Sequence, residues 1–233
     1  MLKSGQLCRR ANNLRQYYGL NGLDQKLEKY LGFDGGFFVE LGANNGIDQS
    51  NTLYYEKFRN WHGVLIEPIP HNYLLCRQNR STVNTIFCNA CVSFEYKDKF
   101  VEIIYSNLMS TPIGLESDIS NPQAHASEGL RHIPSTHDNF TFGARASTLE
   151  DLLVKANAPA LIDFLSLDVE GAEIEVLKGI DFNRHKFRFM CIESRDLLKI
   201  ATHLARHDYH LIDKLSQHDY VFTSDRNLLL KSV

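Results

Sequence analysis

The chain has 233 residues, of which 43% are hydrophobic, so it can bury a sizeable core and is expected to form one domain, residues 1–233. Its 25 lysine and arginine residues against 28 aspartate and glutamate residues give a formal net charge of -3, and no long basic run occurs. This balance argues against a nucleic-acid partner and favours a small or neutral substrate.

Cysteine usage and apolar content indicate the compartment. The five cysteines are odd in number and scattered, which disfavours a disulfide framework and favours a reducing compartment. The first residues lack the apolar core of a secretory signal, and no segment approaches the roughly 20 apolar residues of a membrane span. We therefore expect a soluble, cytoplasmic protein with no membrane span.

Short apolar runs alternate with amphipathic runs along the chain. Strands are predicted at residues 37–41, 63–67, 84–94, 161–168, 187–193, 209–215 and 220–224. Helices are predicted at residues 50–58, 71–80, 148–156, 172–179 and 196–207. This alternation predicts an α/β fold with a doubly wound, mostly parallel sheet.

Three segments depart from the alternation. Residues 1–35, before the first strand, are expected to form a helical cover over the cleft. Residues 107–143 hold several prolines and glycines and few apolar positions, so we predict a substrate lid or loop there. The last two predicted strands are four residues apart, which is too short for a parallel crossover. They should form an antiparallel hairpin, so that one C-terminal strand of the sheet is reversed.

The first predicted strand ends on Glu40 and is followed by a turn with little side-chain bulk, GANNG, from Gly42 to Gly46. Ligands of open α/β sheets bind beyond the carboxyl ends of the strands, where glycine lets a ligand approach the backbone. The spacing is not G-x-G-x-x-G, so a pyrophosphate site is not predicted. The next strand ends at Glu67, where an acid can accept hydrogen bonds from both hydroxyls of a ribose. These features point to a nucleoside ligand without a pyrophosphate.

A second acidic stretch follows the fourth predicted strand. Asp168, Glu170 and Glu173 lie within six residues, so their charges repel and at least one pKa should be raised unless a cation intervenes. We take Asp168 and Glu170 as candidates for catalysis or acceptor binding. The alternative is that these two acids cap the helix that follows.

Four motifs, in this order, resemble a known family. They are FFVELGANNGIDQSNTLYYEK, WHGVLIEPIPHNYLLCRQNR, NACVS and LSLDVEGAEIEVLKGIDF, the last followed by CIES. They resemble the FkbM-type methyltransferases, a class I family that uses S-adenosyl-L-methionine and has a Rossmann-like seven-stranded sheet. The resemblance covers most of residues 24–225, apart from 107–143.

The resemblance also implies a cofactor site. The implied residues are Glu40, Gly42, Ala43, Asn44, Gly46, Asn51, Glu67, Pro68, Asn89, Ala90 and Asp168. The glycine turn would line the methionine end, with Glu40 below it ordering water or the amino group. Glu67 would hold the ribose, and Asn89 and Ala90 would flank the adenine. Asn51 would bond the cofactor's carboxylate from a helix N-terminus, where backbone N–H groups favour an anion.

Methyl transfer to a hydroxyl requires alignment of the acceptor and removal of its proton. The candidate catalytic residues are Asp168, Glu170 and Glu193. Three histidines of the predicted loop, His125, His132 and His137, are further candidates for a mobile base, with an ordinary surface position as the alternative.

Asp168 and Glu193 end adjacent predicted strands, so their oxygens could bind Mg²⁺. Some related O-methyltransferases hold a metal at this point. Ser194 is a weaker ligand than the amide or carboxylate often found there, and Glu193 has an ion pair with Arg195 or Arg188 as its alternative.

We expect an O-methyltransferase whose acceptor is a small molecule, with the hydroxyl of a sugar or other glycoconjugate favoured by analogy with the family. An NAD-dependent oxidoreductase and a catalytically inactive S-adenosylmethionine-binding module are the alternatives. Nucleic-acid methylation ranks last because of the acidic balance, and a homodimer is left open.

Overall fold

The computed structural model describes residues 16–106, 109–129 and 140–225. The helices in these ranges are the 3-10 helix Leu20–Gly22 and α1 Leu23–Leu31, α2 Leu53–Arg59, α3 Pro70–Asn79, α4 Pro122–Gly129, α5 Leu149–Lys155, α6 Glu173–Leu177 and α7 Leu197–Ala205. The strands are β1 Phe37–Leu41, β2 His62–Ile66, β3 Thr85–Phe87, β4 Ala90–Val92, β5 Phe100–Ile104, β6 Thr111–Ile113, β7 Thr141–Thr148, β8 Leu161–Leu167, β9 Lys186–Glu193, β10 His210–Lys214 and β11 Asp219–Thr223. None of these helices has the length and apolar content needed to cross a bilayer.

A large sheet forms the centre of the fold. Within the described ranges its seven strands lie in the order β10-β11-β9-β8-β1-β2-β3. β1 pairs in parallel with β2 and β8, and β8 pairs in parallel with β9. β11 is antiparallel to both β9 and β10. The predicted α/β, Rossmann-like fold with a mostly parallel sheet is therefore confirmed.

Helices bury both faces of this sheet. Successive residues of a strand point to opposite faces, so Phe38 and Val39 of β1 belong to different core clusters. Phe38 packs with residues of α1 and α2 such as Leu27, whereas Val39 packs with residues of α5 and α6 such as Leu152. The central strands are thereby fixed on both sides, and their carboxyl ends form one rigid edge.

The segment between β3 and α5 differs from the sequence-based prediction. Residues 84–94 were predicted as one strand, but they contain β3 in the large sheet and β4 in a second sheet. Residues 107–143 were predicted as a loop or lid, but the part that is described contains β6, α4 and the start of β7. The second sheet has the order β4-β7-β5-β6.

The physical reason is the shortness of these strands and the distance between partners. β6 has three residues, and β5 pairs antiparallel with β7 some forty positions later, with Phe100 opposite Arg145. Only Val101 and Ile103 of β5 join the small core, together with Ala144 of β7. So few apolar positions do not show the alternation of a strand in the sequence.

Candidate active site

A cavity of about 510 Å³ opens at the carboxyl edge of the large sheet, within the range of about 300–1,000 Å³ typical of small-molecule sites. Its floor is formed by residues that follow β1, β2, β3 and β8. The predicted site residues among them are Gly42, Asn44, Glu67, Pro68, Asn89, Ala90, Asp168 and Glu170. The sheet edge thus brings together residues that are far apart in sequence.

The second sheet supplies the roof of the cavity. Its contribution is mainly apolar and includes Ile103, Met109, Pro112 and Leu115, together with the polar residues Ser106 and Ser110. The roof spans the floor because β4 starts next to β3, while the amide of Asp118, after β6, donates to the carbonyl of Gly171 (3.0 Å), after β8. No sequence signal identified these roof residues.

Gly42 allows the turn after β1 to approach the loop after β8. Its φ is +76°, and a Cβ at this position would lie 1.9 Å from the backbone oxygen of Asp168. The amides of Gly42 and Ala43 both donate to the carbonyl of Ile66, at 3.1 and 3.2 Å. Asn44 also has a positive φ, 47°, which asparagine tolerates better than most residues. The turn is therefore fixed against both neighbouring strands.

Glu67 is buried at the end of β2 with its carboxylate on the cavity. Its Oε2 accepts from the amide of Asn44 (2.8 Å) and its Oε1 accepts from the amide of Ile69 (2.9 Å). Burial raises the pKa of Glu67 to about 7, against the opposing effect of these two bonds. Each carboxylate oxygen has more than one acceptor site, so both can still accept a hydroxyl.

Four residues implied by the resemblance lie behind this floor: Glu40, Ala43, Gly46 and Asn51 are outside the set that lines the cavity. The Glu40 carboxylate instead accepts from the amide of Asn51 (2.9 Å) and from two side-chain hydroxyls, Ser50 (3.0 Å) and Thr52 (2.6 Å). The side-chain amide of Asn51 donates to the hydroxyl of Ser166 (3.1 Å). The roles predicted for these residues stay predictions.

Asp168 lines the β8 end of the cavity, and Glu193, which is outside the lining set, lies beside it. Asp168 is exposed toward the cavity, while its carboxyl lies among those of Glu193, Glu170 and Glu173. Loss of hydration raises the pKa of Asp168 well above its ordinary value, and the Glu193 carboxyl beside it raises it further. The Glu170 and Glu173 carboxyls also raise this pKa, so the repulsion that the sequence predicted among Asp168, Glu170 and Glu173 is present.

Glu170 has an unusual backbone and two basic neighbours. Its φ is 54°, a left-handed conformation that is uncommon for residues other than glycine and is concentrated at functional sites. Its Oε2 lies 2.8 Å from Nε2 of His125 on α4 and 3.7 Å from Nη2 of Arg195. His125 thus reaches the site from the segment between β3 and α5. His132 and His137 lie outside the described residues.

Glu173 fixes the loop that carries these acids. Its Oε1 accepts from the amides of Val169 (3.0 Å) and Gly171 (3.2 Å), on either side of Glu170. Burial raises the pKa of Glu173 to about 8. Glu173, in the first turn of α6, therefore supports the loop through these two bonds.

The donor set at this end does not match a dedicated metal centre. In the part of the chain that the structure describes, no three His, Cys, Asp or Glu side chains are grouped so that they could hold an ion. Asp168 and Glu193 form a pair, but the Ser194 hydroxyl donates to Oδ2 of Asp118 (3.0 Å). The chemistry proposed for this site therefore uses no metal-dependent step.

Among the residues that the structure describes, five polar ones that line the cavity were missed by the sequence analysis: Asp48, Gln49, Asn72, Ser106 and Ser110. Asn72 is buried in the first turn of α3 and lines the cavity, five positions after Glu67. Its signal was available, because the first turn after a predicted ligand-binding strand end faces the same edge of the sheet. Leu20, in the 3-10 helix before α1, also lines the cavity.

Comparison with known proteins gives one family match. The model of the methyltransferase FkbM domain matches residues 40–222. No curated protein is significantly similar in sequence.

Two solved structures are similar over 87% of this chain. A precorrin-6y C5,15-methyltransferase from Geobacter metallireducens GS-15 is 13% identical, with 86% of that chain covered and a TM-score of 0.42. A ribosomal protein L11 methylase from Lactobacillus delbrueckii subsp. bulgaricus is 10% identical, with 75% covered and a TM-score of 0.37. The strand order of the large sheet, rather than these weak likenesses, shows the fold.

Proposed function

We propose, from the premise that this chain belongs to the FkbM methyltransferase domain family, that it is an S-adenosylmethionine-dependent O-methyltransferase. Its proposed acceptor is a hydroxyl of a small molecule, with a sugar or glycoconjugate favoured by family analogy. One observation supports this most strongly: Glu67, Gly42 and Asp168 follow three adjacent strands, β2, β1 and β8, and line one cavity.

The proposed contacts with the cofactor follow its parts in order along the sheet. Glu67 would accept hydrogen bonds from the ribose hydroxyls, and Asn89 and Ala90 would flank the adenine at the β3 side. Gly42 lets the sulfur end lie against the backbone between β1 and β8. When bound, S-adenosylmethionine supplies an electrophilic methyl group, so the chain itself must align the acceptor and take its proton.

Two acids at the β8 end suit different roles in that step. Asp168 has a raised pKa, and in its protonated form its single O–H can donate either to the Glu193 carboxylate or to the acceptor oxygen that it orients. Arg195 and His125 both contact Oε2 of Glu170, so Oε1 remains available to take the acceptor's proton. A positioned general base of this kind contributes about 10²–10⁴-fold to the rate.

The apolar roof constrains the rest of the acceptor. Because Met109 and Leu115 are apolar, the face of the acceptor turned toward them must present carbon rather than unpaired hydroxyls. A sugar ring can meet this condition with its C–H face, as can the apolar part of a glycoconjugate.

Two measurements test the proposal. Calorimetry with S-adenosylmethionine and NAD side by side should show binding of the first alone, since NAD binding alone would indicate an oxidoreductase. Formation of S-adenosylhomocysteine should then be measured across a panel of sugar and glycoside acceptors. Cofactor binding without turnover of any acceptor would favour the inactive binding module.

A matched pair of variants tests the base. Glu170→Gln should lower kcat by about 10²–10⁴-fold while the affinity for S-adenosylhomocysteine stays within twofold. Glu128→Gln, at an exposed position on α4, serves as the control and should leave kcat unchanged. Unchanged kcat in Glu170→Gln would reject Glu170 as the base.

Magnesium dependence stays a prediction of the sequence. Asp168 and Glu193 would supply two carboxylate ligands, and Mg²⁺ commonly binds one or two carboxylates together with waters and substrate. Loss of activity after exhaustive EDTA treatment, restored by MgCl₂, would support this role. Undiminished activity would remove it.

A further inference from the structure

Arg80, which follows the last residue of α3, has a guanidinium that is completely buried behind the turn after β1. Its side chain has a relative exposure of 0%. Nε lies 2.7 Å from Oε2 of Glu56, and Nη1 lies 3.1 Å from Oε2 of Glu40. One cation therefore joins the end of α3 to both α2 and the end of β1.

The same guanidinium also holds the segment between β1 and α2. Nη2 donates to the hydroxyl of Thr52 (2.9 Å), and Nη1 donates to the hydroxyl of Ser50 (3.2 Å) and to the carbonyl of Gly46 (3.4 Å). The stem of Arg80 packs under Gly46, where a Cβ would lie 2.8 Å from Cγ of Arg80. The shape of residues 46–52 is thus built around this side chain.

The segment after β1 has two separately supported parts. Residues 42–44 are bonded to β2, through Ile66 and Glu67. Residues 45–52 are held by the end of α3, through Arg80 inside and through Asn79, whose side-chain amide donates to the carbonyl of Asn45 (2.9 Å) outside. Asp48 and Gln49 in the second part line the cavity, whereas Arg80 is outside the lining set.

Arginine is specifically suited to this position. Its planar guanidinium has five N–H donors in a fixed geometry and matches several acceptors at once. Lysine would keep the charge but not the fork, because an ammonium is a compact point donor. Removal of the cation would leave the Glu40 and Glu56 carboxylates buried without their counter-charge.

We propose that Arg80 is a positioning residue that shapes residues 45–52 to receive the amino-acid end of the cofactor. It acts through Glu40, Ser50 and Thr52 and does not touch the cofactor itself. The ribose and adenine contacts, at Glu67 and Asn89, depend on other strands and are independent of Arg80. The inference rests on the proposed cofactor, but not on the acceptor or on the methyl-transfer step.

The test compares two ligands that share the nucleoside and differ in the amino-acid end. S-adenosylhomocysteine carries that end, and 5′-methylthioadenosine lacks it. Both should be titrated by calorimetry into the wild type, Arg80→Lys and Arg80→Met. We expect the Kd for S-adenosylhomocysteine to rise at least tenfold in both variants, while the Kd for 5′-methylthioadenosine stays within twofold. Arg77→Met, at an exposed position one turn earlier on α3, should change neither Kd.

Each other outcome is decisive. Equal weakening of both ligands would overturn the inference, because it would indicate general damage to the fold rather than loss of one subsite. Unchanged affinity for S-adenosylhomocysteine would also overturn it. If Arg80→Met does not fold by circular dichroism, Arg80→Lys carries the comparison. A wild type that binds neither ligand would refute the proposed cofactor and this inference together, which distinguishes that failure from the others.

Discussion

The amide of Asn44 donates a 2.8 Å hydrogen bond to Oε2 of Glu67, so the acid that ends β2 is also a structural part of the turn after β1. The residue proposed to bind the ribose therefore also fixes the backbone that is proposed to lie beside the sulfur end. A change at Glu67 should affect both.

Glu67→Gln should weaken cofactor binding. The side-chain amide keeps one acceptor oxygen but replaces the other with a donor that cannot accept from Asn44 or from a ribose hydroxyl. A hydrogen bond to a charged group contributes about 1.5–3 kcal/mol, so we expect the Kd for S-adenosylhomocysteine to rise by about tenfold or more. Calorimetry measures it, with Glu102→Gln at an exposed position of β5 as control. An unaltered Kd would argue against ribose recognition by Glu67.

Glu67 should also make stability depend on pH. Its pKa is about 7 in the folded protein against an ordinary value of 4.5, so between these values the folded protein keeps a proton that the unfolded chain has released. The resulting stabilisation is fully present below about pH 4.5 and is lost as pH rises through about 7. The Tm of Glu67→Gln should therefore fall less steeply than the Tm of the wild type as the pH rises from about 4.5 to about 7. Some slope should remain from Glu173, whose raised pKa acts with the same sign. Identical slopes for variant and wild type would contradict the prediction.

Gly42→Ala should destabilise the fold far more than a matched substitution at Gly35. Both glycines have a φ of +76°, so both substitutions pay the cost of a left-handed alanine, about 1–2 kcal/mol. A Cβ at position 35 meets nothing within 4 Å, whereas one at position 42 would lie 1.9 Å from the backbone oxygen of Asp168. Urea unfolding should show the larger loss for Gly42→Ala, and equal losses would mean that the turn can move away from the loop after β8.

Glu173→Leu should cost more stability than Glu173→Gln. The leucine leaves the amides of Val169 and Gly171 without their acceptor, at about 1–3 kcal/mol for each unpaired group. The glutamine keeps an oxygen that can take both bonds. Urea unfolding at pH 7 measures the difference. Similar losses for the two variants would show that the loop does not depend on this oxygen.

The sequence predicted the floor of the site better than its roof or its support. Glu67 and Asp168 were predictable because each ends an apolar run, and strand ends meet at one edge of a parallel sheet. β1 was predicted with its observed bounds, Phe37–Leu41, for the same reason.

Roof and support depend on pairings between distant segments. Ile103 lies on β5, and its partner β7 begins within residues 107–143, which were predicted as a loop. Arg80 ends an ordinary helical pattern, and its burial follows only once Glu40 and Glu56 are placed on two other elements. Neither feature has a local signature.

The way the second sheet is attached has a consequence for diversification. β4 and β7 run side by side, with Ala90 opposite Ala146, so the chain enters the second sheet on β4 and leaves it on the neighbouring strand β7. The segment between these two strands can be exchanged without altering the strands that precede Gly42 and Glu67, provided that its contacts with the loop after β8, through Asp118 and His125, are kept. Chimaeras made at these two junctions are expected to change the acceptor preference and to leave the proposed nucleoside contacts in place.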